Sequence, residues 1–211
     1  MRVNDHPTRI IAQLGRKHPD IPRVIERVRS HVGWLKREVY TYQAVVLYVL
    51  AGDYNRVDAH LLEIGTAVGF SAAYLAEGAP LAKITTLNPK EAEVHVARQN
   101  LTAYGNVTVV PELSWDYLGR YEGPPLDMIF VDGDHNAVVR DLPWWNWLAE
   151  GGLMVFHDYA PADTIRPCPP VYNAVNTLSA CLHRKLDIKV IDDDGVGLAG
   201  LYRRSLDEVW G

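Results

Sequence analysis

Residues 61–74 read LLEIGTAVGFSAAY, and this stretch decides the fold. Ala59, Leu61, Leu62 and Ile64 make an apolar run that predicts a buried strand. Gly65 to Gly69 is a glycine-bearing turn, and the residues from Ser71 to Glu77 are compatible with a helix. A strand that passes through such a turn into a helix leaves backbone N–H groups facing a crevice, which suits an anion. A side chain at Gly65 or Gly69 would hold the ligand off that backbone. Glu63 adds a carboxylate at the strand's C-terminal end. The arrangement favours a ligand with an anionic part and a cationic or hydroxylated part.

Outward from this stretch the chain alternates. Strands are predicted at 59–64, 83–87, 106–110, 126–131 and 152–156, with helices at 70–77, 90–103, 136–148 and 171–185. This alternation predicts an α/β fold, a doubly wound, Rossmann-like and mostly parallel sheet with ligands beyond its carboxyl edge. At the end, Ile188–Ile191 and Leu198–Arg203 flank a polar turn at Asp194-Gly195, a hairpin signal that places an antiparallel strand at one edge. Upstream, residues 1–20 with Pro7 and Pro19 suggest a loosely held arm. Ile21 to Trp34 has helical apolar spacing, and Val39 to Leu50 is an apolar helix that Gly52 can end. The expected organisation is one structural domain: 1–55 as an arm and helices over the ligand site, 56–211 as the catalytic part.

Composition narrows the function. With 48% hydrophobic and 22% charged residues the 211-residue chain can bury a sizeable core. A net charge of −5 argues against nucleic acid as the main partner. Cys168 and Cys181 have no C-x-x-C spacing, which fits a reducing cytoplasm and offers no zinc site. No signal-peptide core or membrane-spanning run is present, so a cytoplasmic location is expected and a membrane partner is not. Apolar surface on the N-terminal helices would suit a homodimer.

The functional signal is strongest at the ends of the fourth and fifth strands, Val131-Asp132-Gly-Asp134-His135 and Phe156-His157-Asp158-Tyr159. Adjacent strands bring these side chains over one crevice, and ionisable groups are costly to crowd without a ligand or metal. Asp132 or Asp134 capping a helix would explain one of them, not the set. The helix read at 141–148 places Trp144, Trp147 and Leu148 on one face, a core pattern. The proline-rich loop Ala160–Pro170 follows Asp158 and suits a substrate lid, with Arg166 on it.

The pattern E-x-G-x-x-x-G-x-S at Glu63, Gly65, Gly69 and Ser71 resembles motif I of class I S-adenosylmethionine-dependent methyltransferases. Ala67 stands where a dinucleotide site prefers a second glycine. VDGDH followed by GGLMVFHDY resembles the O-methyltransferases of the macrolide-sugar and cephamycin type, and more distantly the catechol and caffeoyl-CoA enzymes. The resemblance spans about residues 36 to 204. It implies S-adenosylmethionine held by Glu63, Gly65, Thr66, Gly69, Ser71, Asn88, Ser114, Trp115 and Asp132. A divalent cation, Mg²⁺ or Mn²⁺, would be held by Asp132, His157 and Asp158, and His135 would be the general base. It also implies that the 39–50 helix closes over the cofactor, so Tyr40 and Gln43 are expected to face the site. The implied activity is O-methylation of a small hydroxylated acceptor. The family usually has an acid for the ribose where this chain has Asn88, and an acid near the adenine where it has Leu113. Mg²⁺ prefers oxygen ligands, so either His157 turns away, or Mn²⁺, Fe²⁺ or Zn²⁺ fits better, or no metal is needed. An NAD-dependent oxidoreductase and a non-catalytic cofactor-binding protein are the alternatives.

Overall fold

The computed structural model describes residues 5–32, 41–191 and 196–204. Three helices, α1 (Asp5–Lys17), α2 (Ile21–Val32) and α3 (Thr41–Gly52), precede the first strand. Then come β1 (His60–Ile64), α4 (Phe70–Gly78), β2 (Lys83–Leu87), α5 (Glu91–Asn100), β3 (Val107–Val110), α6 (Ser114–Gly119) and β4 (Leu126–Val131). Two 3-10 turns, His135–Arg140 and Leu142–Trp147, lead into β5 (Leu148–Phe156). The chain closes with α7 (Pro169–Cys181), β6 (Ile188–Ile191) and β7 (Gly197–Tyr202).

The seven strands lie in the order β3-β2-β1-β4-β5-β7-β6. The order reverses between β1 and β4, and the crevice beyond their C-terminal ends is where such a sheet binds ligands. All six residues of β4 are buried, as expected of a central parallel strand covered on both faces. One layer packs Val46, Leu47 and Leu75 on Leu61, Met128 and Phe130. The opposite layer packs Val171, Val175 and Trp144 on Leu62, Ile129 and Met154.

Three features differ from the expectations. The antiparallel strand is not at the edge: β7 pairs antiparallel with both β5 and β6, so the edge strand β6 runs parallel to β5. Burial explains the choice, since Gly197 to Leu201 of β7 are buried whereas β6 is half-exposed and carries Lys189 outward. The helix read at 136–148 is two 3-10 turns, because Pro143 supplies no N–H and disfavours helical geometry just before it. Trp144 is nonetheless core, fully buried and stacked on Tyr117 at 6.1 Å between centroids. Thirdly, α1 replaces the expected loose arm, with Ile11 and Leu14 packed on the cluster that holds Val24, Val28 and Tyr48.

The apolar face of α2 (Ile21, Val24, Val28, Val32) turns inward, so it is not the exposed surface that the dimer argument requires. Among the described residues the exposed large apolar side chains are Val57, Leu81, Val96, Val139 and Ile165. None of the described helices is long and apolar enough to cross a membrane. Trp34, Tyr40 and the Asp194-Gly195 turn lie outside the described residues.

Candidate functional site

The turn after β1 is shaped by the protein itself. Gly65 has φ +104°, and a Cβ there would sit 2.0 Å from the carbonyl oxygen of Asp132. The strand ends are laced together at this point: the Asp132 N–H donates to Ile64 O at 2.8 Å, and the Gly65 N–H to Leu87 O at 2.9 Å. Gly69, at φ +90°, would place a Cβ 2.9 Å from the Leu101 side chain. Both glycines are therefore demanded by neighbouring chain, and Gly65 also lines the crevice where the expected ligand would lie. Ala67, left-handed at φ 43°, is the exposed tip of the turn and lines the crevice beside Gly65.

Glu63 lies beneath the turn, fully buried, with the Ser71 hydroxyl donating to Oε1 and the Thr86 hydroxyl to Oε2. The Thr66 and Thr86 hydroxyls are 2.5 Å apart. Glu63, Thr66, Gly69 and Ser71 thus support the turn from below and are not part of the crevice wall. Burial pushes the Glu63 carboxyl up to about 7, against the two hydroxyl donors. A carboxyl raised in the folded state contributes stability that is fully present below about 4.5 and is lost as pH rises through about 7. Glu63→Gln removes this titration, so denaturant unfolding of the variant should vary less than that of the parent between about pH 5 and about pH 8. Equal pH dependence of the two proteins would contradict the assignment.

The crevice encloses about 620 Å³ over the ends of β1, β2, β3 and β4, a size suited to a small cofactor. At its β2 end, Asn88 is 4% exposed. Its Nδ2 donates to Glu93 Oε2 at 2.8 Å, and its Oδ1 accepts from the Lys90 N–H at 3.0 Å. The side chain is thus occupied in starting α5. At the β3 end the Ser114 hydroxyl donates to Asp141 Oδ1, and Trp115 is half-buried with the Arg140 guanidinium 4.8 Å above its ring. Asp141 is 2% exposed, faces the same crevice and is pushed up to about 6 by burial. Glu93, Glu112 and Asp141 are crevice carboxylates to which the sequence reading gave no role. Glu93 is hidden in a helix start, and Asp141 precedes Leu-Pro in a segment read as continuous helix.

The ends of β4 and β5 bring together four ionisable groups. His135 Nε2 lies 3.0 Å from Asp158 Oδ2 and 4.0 Å from Asp132 Oδ1. His157 Nδ1 lies 3.1 Å from each of the same two carboxylates. Asp158 is left-handed at φ 52°, a conformation unusual for a side-chain-bearing residue. The neighbouring carboxylates of Asp132 and Asp158 push His135 up to about 10. Burial works against a charge on His157, yet the same two carboxylates also carry it to about 10. Asp158 is held well below the usual carboxylate range, because its bonds to the two histidines outweigh the cost of burial.

His157 is turned away from solvent. Its Nε2 meets Gln43 Oε1 at 2.6 Å, and Gln43 Nε2 donates to the Tyr42 hydroxyl at 2.9 Å. Gln43 thereby ties α3 to the site, as expected for that residue. The ligand atoms that converge within 4.8 Å are those of Asp132, His135 and Asp158. His157, expected among the cation ligands, points Nδ1 at the same two carboxylates and is held from behind through Nε2 by Gln43. Two carboxylates with one imidazole fit a cation that accepts mixed oxygen and nitrogen ligands, such as Mn²⁺.

Residues 62–159 match the methyltransferase domain family. A catechol O-methyltransferase from Mycobacterium tuberculosis is 31% identical over 160 residues, covering 74% of this chain and 66% of that protein. The matched residues resemble a methyltransferase domain, and the chain around them is similar to O-methyltransferases. The part of the catechol enzyme matched by this chain falls just short of two thirds of its length. A cofactor-bound crystal structure of Rv0187 from MTB is 26% identical with a TM-score of 0.64, covering 88% of this chain and 90% of that one. The O-methyltransferase from Bacillus cereus in complex with SAH shares the fold at 18% identity and a TM-score of 0.63, over 86% of this chain and 90% of its own. In this chain Gly65, Ala67 and the residues Asp132 to His135 line one crevice, and Asp158 sits against His135 beside it. The NAD reading has no counterpart among these relatives.

Proposed function

We propose that this protein transfers the methyl group of S-adenosylmethionine to a hydroxyl of a small hydroxylated acceptor, a sugar or polyketide-type metabolite or a catechol. The observation that carries the reading is the convergence of Asp132, His135 and Asp158 within 4.8 Å, with Asp132 and His135 also lining the crevice. The transfer breaks the methyl–sulfonium bond and forms a C–O bond, and the acceptor hydroxyl gives up its proton as it attacks. His135 receives that proton in its neutral form. Its pKa must first fall from about 10, which happens when Asp132 and Asp158 turn their charge to an incoming partner. A divalent cation held by the Asp132 and Asp158 carboxylates would orient two neighbouring acceptor oxygens and stabilise the developing alkoxide, leaving the His135 imidazole to take the proton. His157, gripped by Gln43, keeps the two carboxylates in place from behind. Gly65, Ala67 and Trp115 line the crevice and would border the cofactor, with Glu63, Thr66, Gly69 and Ser71 holding the turn beneath.

Calorimetric titration with S-adenosylmethionine and S-adenosylhomocysteine, with EDTA and then with Mg²⁺ or Mn²⁺, tests the cofactor and the cation together. Saturable binding is expected in every condition. Methyl transfer to catechol, or to a panel of hydroxylated metabolites, should depend on added metal. Metal-independent turnover would remove the cation from the proposal, and no binding at all would remove the cofactor.

A further inference from the structure

The position that usually carries the ribose-binding acid in this family is Asn88, and its amide is already committed. Its partner is the second observation. Glu93 stands on the first turn of α5 and lines the same crevice beside Asn88. Its Oε2 accepts from Asn88 Nδ2 at 2.8 Å and its Oε1 from Lys90 Nζ at 3.0 Å. A carboxylate has about four acceptor sites, so these donors leave a lone pair on each oxygen. The Glu93 side chain is 35% exposed, and that of Lys90 72%, so the lysine can swing into solvent without disturbing the fold.

We propose that Glu93, positioned by Asn88, is the carboxylate that receives the two ribose hydroxyls of S-adenosylmethionine in this protein. The acid has moved from the end of β2 to the first turn of the following helix, and the strand-end residue has become the support that aims it. Two vicinal hydroxyls are donors at the spacing of one carboxylate, and a charged acceptor binds them more strongly than an amide would. The Asn88 hydrogen bond, against a smaller opposing effect of burial, holds the Glu93 carboxyl below its ordinary range, so the acceptor is ionised at neutral pH. The inference rests on the cofactor reading above.

The test is calorimetry of the full chain with S-adenosylhomocysteine and with its 2′,3′-dideoxyribose analogue. The parent protein should prefer the ribose form by about 10- to 100-fold, the size of a charge-assisted hydrogen-bond contribution. Glu93→Gln should lose about tenfold for S-adenosylhomocysteine and nothing for the dideoxy analogue. Asn88→Ala, which leaves Glu93 unaimed, should show a smaller loss of the same kind. The double variant Asn88→Asp with Glu93→Gln returns a carboxylate to the strand end and should restore ribose preference. Undiminished ribose preference in Glu93→Gln would overturn the proposal, as would an equal loss for both nucleosides, which marks a merely structural role. Failure of the parent to bind either nucleoside would instead overturn the cofactor reading, and this inference with it.

Discussion

Replacing His135 with alanine should lower methyl transfer by about 10²- to 10⁴-fold while leaving S-adenosylhomocysteine binding intact. The imidazole is half-exposed at the mouth of the site and makes its close polar contacts with Asp132 and Asp158. Its removal therefore takes away a proton acceptor without touching the turn after β1. A companion variant distinguishes a base from a mere spacer. Asp158→Asn removes one of the two carboxylates that hold the His135 proton, so the pKa of His135 should fall. The rising limb of the pH–rate profile should then move to lower pH in Asp158→Asn, even as the maximal rate drops. Unchanged turnover in His135→Ala would reject the base assignment. An unmoved pH limb in Asp158→Asn would show that the titrating group is some other residue.

Gly65→Ala should be the most damaging change to the fold near the site. The added methyl would meet the Asp132 carbonyl at 2.0 Å, on a residue whose φ of +104° already disfavours any side chain. Strain and overpacking together predict a loss of about 3 kcal/mol or more, seen as a fall in melting temperature of roughly 10 °C. The damage should reach chemistry as well, because Asp132 is tied to Ile64 through the backbone that the methyl would displace. Ala67→Gly, two residues along the same turn, relieves a left-handed residue and serves as the control that should not destabilise. A Gly65→Ala protein with the parent's melting temperature would show that the β1 and β4 ends can part at little cost.

Much of this molecule was legible in its residues. The apolar runs of β1 and β4 and the alternation of strand and helix sufficed for a mostly parallel sheet, because each pattern reports burial that local sequence must satisfy. The strand-end motifs pointed to one crevice, since C-terminal ends of neighbouring parallel strands necessarily converge. Where the reading went astray, the deciding contact lay far along the chain. The demand for glycine at residue 65 comes from the approach of residue 132, which no local pattern records. The hairpin was legible, but which of its strands joins β5 depended on comparing the burial of β6 and β7, which only the packed sheet reveals.

The sequence by itself therefore determined the fold class, the location of the crevice and the residue types at the ends of β4 and β5. These follow from hydrophobic period and from groups too costly to crowd without purpose. Tertiary structure alone decided which carboxylate each side chain meets. It put Gln43 behind His157, Ser114 on Asp141 and Asn88 on Glu93, partners separated by 114, 27 and 5 residues. Hydrogen bonds and ion pairs act over a few ångströms, and no periodicity in one dimension records which distant groups folding will bring within that range.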